Sequence, residues 1–468
     1  MYNKTKIIAT IGPVSESPEV IEKMIQAGVD VFRLNLKHNT LDWHEETIKK
    51  IKKIAEKMKV NVGTLADMQG PEIRIRTKDE NGIEVFEGDI VYIGDDFHTD
   101  PKSIKLVPEK ALATLGVDDE VFIDNGNLRL KIIDKVDGYL HAKVDRDYFI
   151  KNKKSMNAPG KSVNLPLFSQ ADIDAFAMVE KAHPDFVGLS FVRTADDVRE
   201  MRKELNKINS KAKIIVKVEN MQALDNIEEI VEETDVVMVA RGDLGVEVPM
   251  RELAYWQKKI IKLCREKNRP VIVATQMLLS MVTNFNPTRS EATDVANAVL
   301  DGTDVLMLSD ETTIGKYPVR VVKEMASIAS FSEHHNTDKP LEKTPHTPTE
   351  ILIDAAAKII EHTKHDPIKA AIVFTKSGTT ARLLSTYRLN VPMVAVTNDE
   401  HVAKELSLSY SIIPYVTKIK QSDFDIRSPL FKDLTKLDLL NEGDRVIVIH
   451  GNNWLEAGDT TNISLITL

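Results

Sequence analysis

Eight short apolar runs recur along the chain: KIIATIG, VDVFRLNL, VNVGTLADM, DFVGLSFV, AKIIVKVEN, DVVMVAR, PVIVATQ and DVLMLSD. Between them lie segments whose apolar residues repeat at helical spacing, such as PEVIEKMIQAG, EETIKKIKKIAEKM and DDVREMRKELNKI. Runs that are apolar nearly throughout suit strands covered on both faces. Eight such units predict an α/β fold with a closed parallel (β/α)8 TIM barrel; pattern alone leaves an open doubly wound sheet as the alternative. Barrel enzymes place their sites at the C-terminal ends of the strands, and the polar residues of this chain fall there. Thr10, Arg33, Asn35, Asp67, Ser190, Lys217, Glu219, Arg241, Asp243, Thr275, Gln276, Ser309 and Glu311 sit at or just beyond those ends.

The pattern changes in the third unit. From about Pro71 to Leu165 short alternating strands take over, with turns at Asn81-Gly82, Asn125-Gly126 and Asp137-Gly138. This predicts a small inserted β-barrel domain which, leaving the barrel at its functional face, is placed to act as a lid. After the eighth helix, which should end near His334, the polar stretch NTDKPLEKTPHTP reads as a linker, and a C-terminal α/β domain follows. The expected organisation is barrel over 1–70 and 166–335, lid over 71–165, linker over 336–349 and regulatory α/β domain over 350–468. In the last of these, Thr375, Lys376, Ser377, Gly378, Thr379 and Thr380 pass from a strand into a helix and offer hydroxyls and amides to a phosphate. Read alone, the same stretch is a capped turn.

Composition narrows the class. Over 468 residues a net charge of -9 argues against broad nucleic-acid binding, and no run of 18 apolar residues predicts a membrane span. The single cysteine, Cys264, excludes an intrachain disulfide and fits a reducing compartment, so a cytoplasmic protein is expected, with the thiol used for packing.

The stretch from Ala212 to Pro249 carries the sharpest chemistry. Lys217 and Glu219 share one face of a strand end, and Asp243 enters from the neighbouring strand. Two carboxylates able to hold a divalent cation, beside a lysine facing the anion that the cation holds, suit phosphoryl transfer. A salt bridge between Lys217 and Glu219 is the alternative reading.

Longer stretches carry a resemblance. KIIATIGPVSES, VFRLNL, GPEIR, LSFVRTADDV, KVEN, VMVARGDLGVEVP, ATQML, PTRSEATDVANAVLDGTDVLMLS and SGTTARL resemble the pyruvate kinase family, and the match runs through essentially the whole chain. The resemblance implies transfer of phosphate from phosphoenolpyruvate to ADP, giving pyruvate and ATP in glycolysis, a mobile lid and a homotetramer. It implies that Glu219 and Asp243 hold Mg2+ or Mn2+, that Lys217 neutralises the moving phosphoryl, and that the amides around Gly242 and Asp243 receive the substrate carboxylate. Arg33 and Arg74 resemble phosphate-gripping arginines that also reach the nucleotide, Thr275 the hydroxyl that protonates enolpyruvate, and Ser190 a substrate contact; His38 and Asn39 face the nucleotide. Thr375 to Thr380 resemble a loop that takes the phosphate of a sugar-phosphate or nucleotide effector.

The departures from the family pattern are specific. Asn35 and Asp67 of a potassium site remain, but Lys37 stands where a serine is usual; its ammonium is expected to take the K+ position with Glu72 as partner, or else to turn outward into solvent. Asp310 adds charge at the eighth strand end, and Asn125 removes it from a lid turn. The HGNNWLEAGDTTN loop facing the effector loop has Trp454 but no arginine, so a bisphosphate lacks a second anchor there. Two rivals remain at this level: a metal-dependent lyase acting on pyruvate or its enolate, and a degenerate barrel kept as a metabolite sensor.

Overall fold

The computed structural model describes residues 3–161, 165–335, 344–363, 367–418, 434–435, 440–452, 458 and 460–468. Eight strands close a parallel barrel in chain order: Lys6–Thr10, Val31–Asn35, Gly63–Asp67, Phe186–Leu189, Lys213–Val218, Val236–Ala240, Val271–Ala274 and Val305–Leu308. The last returns to the first in the register Lys6↔Val305 to Ala9↔Leu308. Each strand is buried on both faces. Ile8, Val31, Leu65, Phe186, Ile215 and Ile272 fill the interior, and Leu408 of the C-terminal part joins this cluster. The opposite strand faces pack against the outer helices through residues such as Ile7, Phe32, Ile214 and Val273.

Local sequence sets the helix starts. The helix Gln170–Ala182 opens with a reciprocal box between Ser169 and Asp172. Asp172 also accepts the amides of Gln69, at 2.9 Å, and Gly70, at 3.1 Å, so a helix cap fixes the loop after the third strand.

The insertion folds as a seven-stranded sheet in the order Met156–Asn157, Glu120–Ile123, Leu128–Val136, Tyr139–Val144, Ile90–Gly94, Ser103–Val107, Arg74–Thr77. An antiparallel bridge between Arg74 and Ser155 nearly closes it into a second barrel around Ile75, Val91, Leu106, Val121 and Leu140. The hairpins turn at Asn125-Gly126 and Asp137-Gly138, where all four residues have positive φ. Asn81-Gly82 is a turn of another kind. It joins Arg74–Thr77 to Ile83–Val85, which pairs with Tyr148–Ile150 in a separate two-stranded sheet. The insertion meets the barrel where Asn157 donates to Glu247 at 3.3 Å.

The C-terminal sheet runs Ile412–Val416, Met393–Thr397, Ala370–Phe374, Arg445–His450, Asn462–Thr467, with only the last pair antiparallel. Arg388 pairs with Asp304 at 2.9 Å, and Ser411 donates its amide to the Lys4 carbonyl at 2.8 Å, which fastens this sheet to the floor of the barrel. Of the expected linker, residues 336–343 lie outside the described residues. Cys264 is free and buried.

Candidate functional site

The site sits at the C-terminal mouth of the barrel. Lys217 is the next-to-last residue of the fifth strand, so its side chain enters the mouth from a rigid element. Its ammonium is buried, 2.9 Å from Glu219, 3.6 Å from Asp67 and 2.8 Å from the Ser190 hydroxyl, which in turn donates to the Met68 carbonyl at 2.7 Å. Burial alone would lower its pKa, but Asp67 and Glu219 outweigh that and hold it above the usual lysine range. The salt bridge that sequence reasoning ranked second is thus formed in this structure. Strand pleat puts Lys217 and Glu219 on one face, so the nearest counter-charge is the carboxylate two residues on.

Asp67 ends the third strand and faces three cations. Arg33 reaches its Oδ2 with Nε at 2.7 Å and Nη2 at 2.6 Å, and also donates from Nη1 to Thr10 at 3.1 Å. Burial would raise the pKa of Asp67, yet Lys217, Arg33 and Lys37 hold it below the ordinary carboxylate range. The approach is possible because Gly188 lies beneath it: a β-carbon there would stand 2.4 Å from Asp67 Oδ1.

Glu219 is buried and accepts the Phe191 amide at 2.8 Å. Burial pushes its pKa up, Lys217 opposes this, and the neighbouring negative charge of Asp243 reinforces it. Asp243 lies in the first turn of the helix Arg241–Glu247, which follows the sixth strand directly. No described residue donates a hydrogen bond to its carboxylate. The two carboxylates therefore stand on adjacent strand ends, Glu219 engaged by Lys217 and the Phe191 amide and Asp243 without a described hydrogen bond to its oxygens.

Thr275 follows the seventh strand with φ 71, and Gln276 has φ 54. A β-branched residue in the left-handed region is strained, so neighbours must hold it. Arg241 does so, donating to the Thr275 carbonyl at 2.8 Å and the Ala274 carbonyl at 3.3 Å while paired with Asp294 at 2.7 Å. The Thr275 hydroxyl accepts the Gly242 amide at 2.8 Å. Sequence reasoning placed Arg241 at a strand end but assigned it no role, because backbone strain leaves no mark in the residue pattern.

Lys37 is not turned outward. It pairs with Glu72, which also accepts Arg74 Nη2 at 2.7 Å, and its ammonium lies 5.8 Å from the Phe191 ring centre. Burial would raise the pKa of Glu72, but Lys37 and Arg74 bring it below the usual range. Asn35 accepts the Lys37 amide at 3.3 Å. His38 and Asn39 lie exposed on the loop beyond, and Asp310 is exposed by the eighth strand end.

The predicted effector residues belong to the C-terminal sheet and are not part of this mouth. Gly378 caps the short helix Thr379–Ser385, and its amide donates to Thr375 Oγ1 at 2.9 Å. Ser377 meets Thr379 at 3.0 Å, Thr380 meets Thr460 at 2.8 Å, and Lys376 reaches Asn398 at 3.0 Å. Trp454 lies outside the described residues. Further positive charges line the same cavity of about 580 Å³: Lys267 and Arg269 from the barrel and Arg382 from the helix Thr379–Ser385.

Comparison with known proteins gives one consistent result. Residues 2–322 match the family model described as pyruvate kinase, barrel domain, and residues 350–467 match that of pyruvate kinase, alpha/beta domain. A protein of Bacillus licheniformis named pyruvate kinase is 38% identical over 466 residues, covering 98% of this chain and 79% of its own. Pyruvate kinases of Staphylococcus aureus (strain MRSA252) and Sporosarcina psychrophila are similar at 37% and 38% over 471 residues.

Proposed function

The chain belongs to the pyruvate kinase family, and from that premise we propose that its barrel mouth transfers the phosphoryl group of phosphoenolpyruvate to ADP. The observation that carries this reading is the buried Lys217 ammonium, held between Glu219, Asp67 and Ser190 beside the free carboxylate of Asp243. Arg33 and Arg74 beside the mouth, with the inserted β domain, argue against a lyase, and the intact set Lys217, Glu219, Asp243 and Thr275 argues against a sensor.

Glu219 and Asp243 offer hard carboxylate oxygens, the donor type of Mg2+ or Mn2+. Glu219 and Asp243 would be the residues that hold the cation. When bound, the cation withdraws charge from the phosphoryl oxygens and the substrate carboxylate. The chain's own groups do the remaining work. Lys217 faces the phosphoryl and stabilises the charge that spreads over its oxygens during transfer. Arg33 and Arg74 orient the phosphate, and Ser190 orients Lys217. The Gly242 amide, released by Thr275, takes the substrate carboxylate. Transfer to the ADP oxygen breaks the bond to the enol oxygen and leaves enolpyruvate, which Thr275 protonates at carbon through a water-linked relay. His38 and Asn39 stand at the rim for the nucleotide, and the lid excludes water that would otherwise hydrolyse the phosphoryl.

Lys37 supplies the monovalent charge beside Asn35 and Asp67, so K+ is dispensable. The cavity over Thr375, Lys376, Ser377, Gly378, Thr379 and Thr380 takes an anionic sugar-phosphate or nucleotide effector, supported by Lys267 and Arg269 on its far wall. The protein works as a cytoplasmic homotetramer, a reading supported by exposed Met250, Tyr255, Phe285 and Phe331 on the barrel; no helix among the described residues is long and apolar enough to cross a membrane.

The test is ADP-dependent pyruvate formation from phosphoenolpyruvate with Mg2+, with ATP measured in equal amount. Pyruvate released without ADP, or no turnover at all, overturns the reading.

A further inference from the structure

His44 is buried, 1% exposed, near the start of the helix Leu41–Met58. Its Nε2 stands 2.7 Å from the His38 carbonyl oxygen, in the loop that joins the second barrel strand to that helix. A carbonyl can only accept, so the proton sits on Nε2, and Nδ1 is left as a buried acceptor without a hydrogen-bond partner among the described residues. Burial also lowers the pKa of the ring, which keeps it neutral at neutral pH. An unsatisfied buried nitrogen costs stability. An apolar side chain would avoid that cost, and what the imidazole offers instead is the bond to His38.

The bond starts from a fixed base. The Thr40 hydroxyl accepts the Trp43 amide at 3.2 Å, the Thr40 carbonyl accepts the His44 amide at 3.1 Å, and Trp43 Nε1 donates to Glu16 at 2.7 Å. The loop is tied at its other end too, where Leu36 donates its amide to the Asp67 carbonyl at 3.0 Å and His38 to the Asn35 carbonyl at 3.2 Å. Lys37 is held separately, by its amide on Asn35 Oδ1 and its ammonium on Glu72. Between these ties the peptide linking His38 to Asn39 has His44 as its hydrogen-bond partner among the described residues. Asn39 has φ 61, a left-handed conformation that asparagine tolerates without preferring it. Without the imidazole that peptide plane is free to flip, which relaxes Asn39 toward negative φ and turns the exposed side chains on either side of it.

We propose that His44 is a positioning residue for the nucleoside diphosphate acceptor: through the His38 carbonyl it holds His38 and Asn39 in the one arrangement that presents them to the nucleotide. The assignment rests on the reading of those two residues as nucleotide contacts at the rim. His44 itself touches no substrate. The loop is thus divided in its work. Lys37, near its start, faces the transferred group and is fixed by Asn35 and Glu72, whereas His38 and Asn39 face the acceptor and are fixed from the helix. Loss of His44 therefore acts on one substrate and spares the other.

Initial rates of the full chain with Mg2+, phosphoenolpyruvate and ADP test this in three variants. His44→Leu and His44→Phe remove the donor, and either one serves if the other does not fold; His44→Gln keeps a side-chain N–H of similar reach. Both apolar variants should show KM for ADP raised about five- to tenfold, the scale of one neutral hydrogen bond, with KM for phosphoenolpyruvate and kcat within about twofold. His44→Gln should match the wild type. A merely structural histidine would lower the unfolding temperature and the active fraction without splitting the two KM values. His38→Ala, measured alongside, separates the assignment from the reading beneath it. If His38→Ala raises KM for ADP and the apolar His44 variants do not, or if His44→Gln is no better than His44→Leu, the assignment alone falls. If neither His38→Ala nor Asn39→Ala raises KM for ADP, the reading of the loop as a nucleotide contact falls and takes the assignment with it.

Discussion

Lys217 Nζ stands 2.9 Å from Glu219 Oε1, so the lysine proposed to meet the phosphoryl and a carboxylate proposed to hold the cation keep each other charged in a buried place. Neither group is tolerable there alone, because an unpaired buried charge costs several kcal/mol. Replacing Lys217 by Met should therefore have two effects. Loss of the charge opposite the phosphoryl should lower kcat by at least about 10²- to 10³-fold, the scale of one preorganised electrostatic contact. Leaving Glu219 unpaired should destabilise the fold by about 3–5 kcal/mol, read from urea unfolding, and added Mg2+ should recover part of that loss by binding the freed carboxylate.

Arg241 touches no proposed substrate atom, yet it holds the carbonyls of Ala274 and Thr275 while the next residue, Gly242, holds the Thr275 hydroxyl. It is a positioning residue. In Arg241→Gln the strained turn should relax toward negative φ and carry the hydroxyl away from enolpyruvate. A displacement of that kind is worth about 10²-fold in rate. The expected signature is a fall in kcat with KM for phosphoenolpyruvate nearly unchanged. Solvent-hydrogen exchange at the methyl group of added pyruvate should fall in parallel, because it needs the same proton transfer. A rise in KM alone would count against this role.

Gly188 lets Asp67 sit against the fourth strand, where an added β-carbon would come within 2.4 Å of Asp67 Oδ1. Gly188→Ala should force Asp67 off Arg33 and Lys217. Overpacking of this kind costs about 1–3 kcal/mol, but activity should fall much further than the folded fraction does. Thermal unfolding and initial rates on the same sample distinguish the two losses.

The barrel was legible because its strands are apolar on both faces and the polar residues collect at one end of each, so period and position agreed. The hairpins at Asn125-Gly126 and Asp137-Gly138 were legible because that turn chemistry is local. Asn81-Gly82 carries the same local signal but joins strands of different sheets, since which strand pairs with which is settled by the whole insertion. The helix Arg241–Glu247 was hidden by its two glycines, which propensity counts against a helix. Charge pairing was only half legible: spacing put Lys217 and Glu219 on one face but could not choose between an ion pair and an open site. Arg241 was missed because its importance lies in the positive φ of Thr275, which no residue pattern displays.

Glu72 joins barrel and lid through Lys37 and Arg74, and its pKa is lowered because these cations outweigh the effect of burial. A folded-state pKa below the unfolded value of about 4.3 means that the native state binds fewer protons in that window. The stabilisation from Glu72 is therefore complete above that unfolded value and is lost as the pH falls through the lowered one. Glu72→Gln should be less stable than wild type at neutral pH. The difference between the two urea midpoints should shrink steadily below about pH 4.3. A constant difference down to the acid limit would show that Glu72 does not titrate in this way.

Lys37 pairs with Glu72 and is among the charges acting on both Asp67 and Glu219, which supports the proposal that its ammonium serves in place of a monovalent cation. A tethered charge needs no occupancy from solution. Activity with Mg2+ in tetramethylammonium buffer should therefore equal that in KCl within about twofold at matched ionic strength. Lys37→Ser removes the charge and leaves the oxygen ligands of Asn35 and Asp67, so it should lose activity in tetramethylammonium and regain it on titration with K+. Lys37→Met, which removes the charge without opening a polar site, should lose activity in both. Wild-type activity that appears only when K+ is added would show instead that Lys37 stands beside a cation site without filling it.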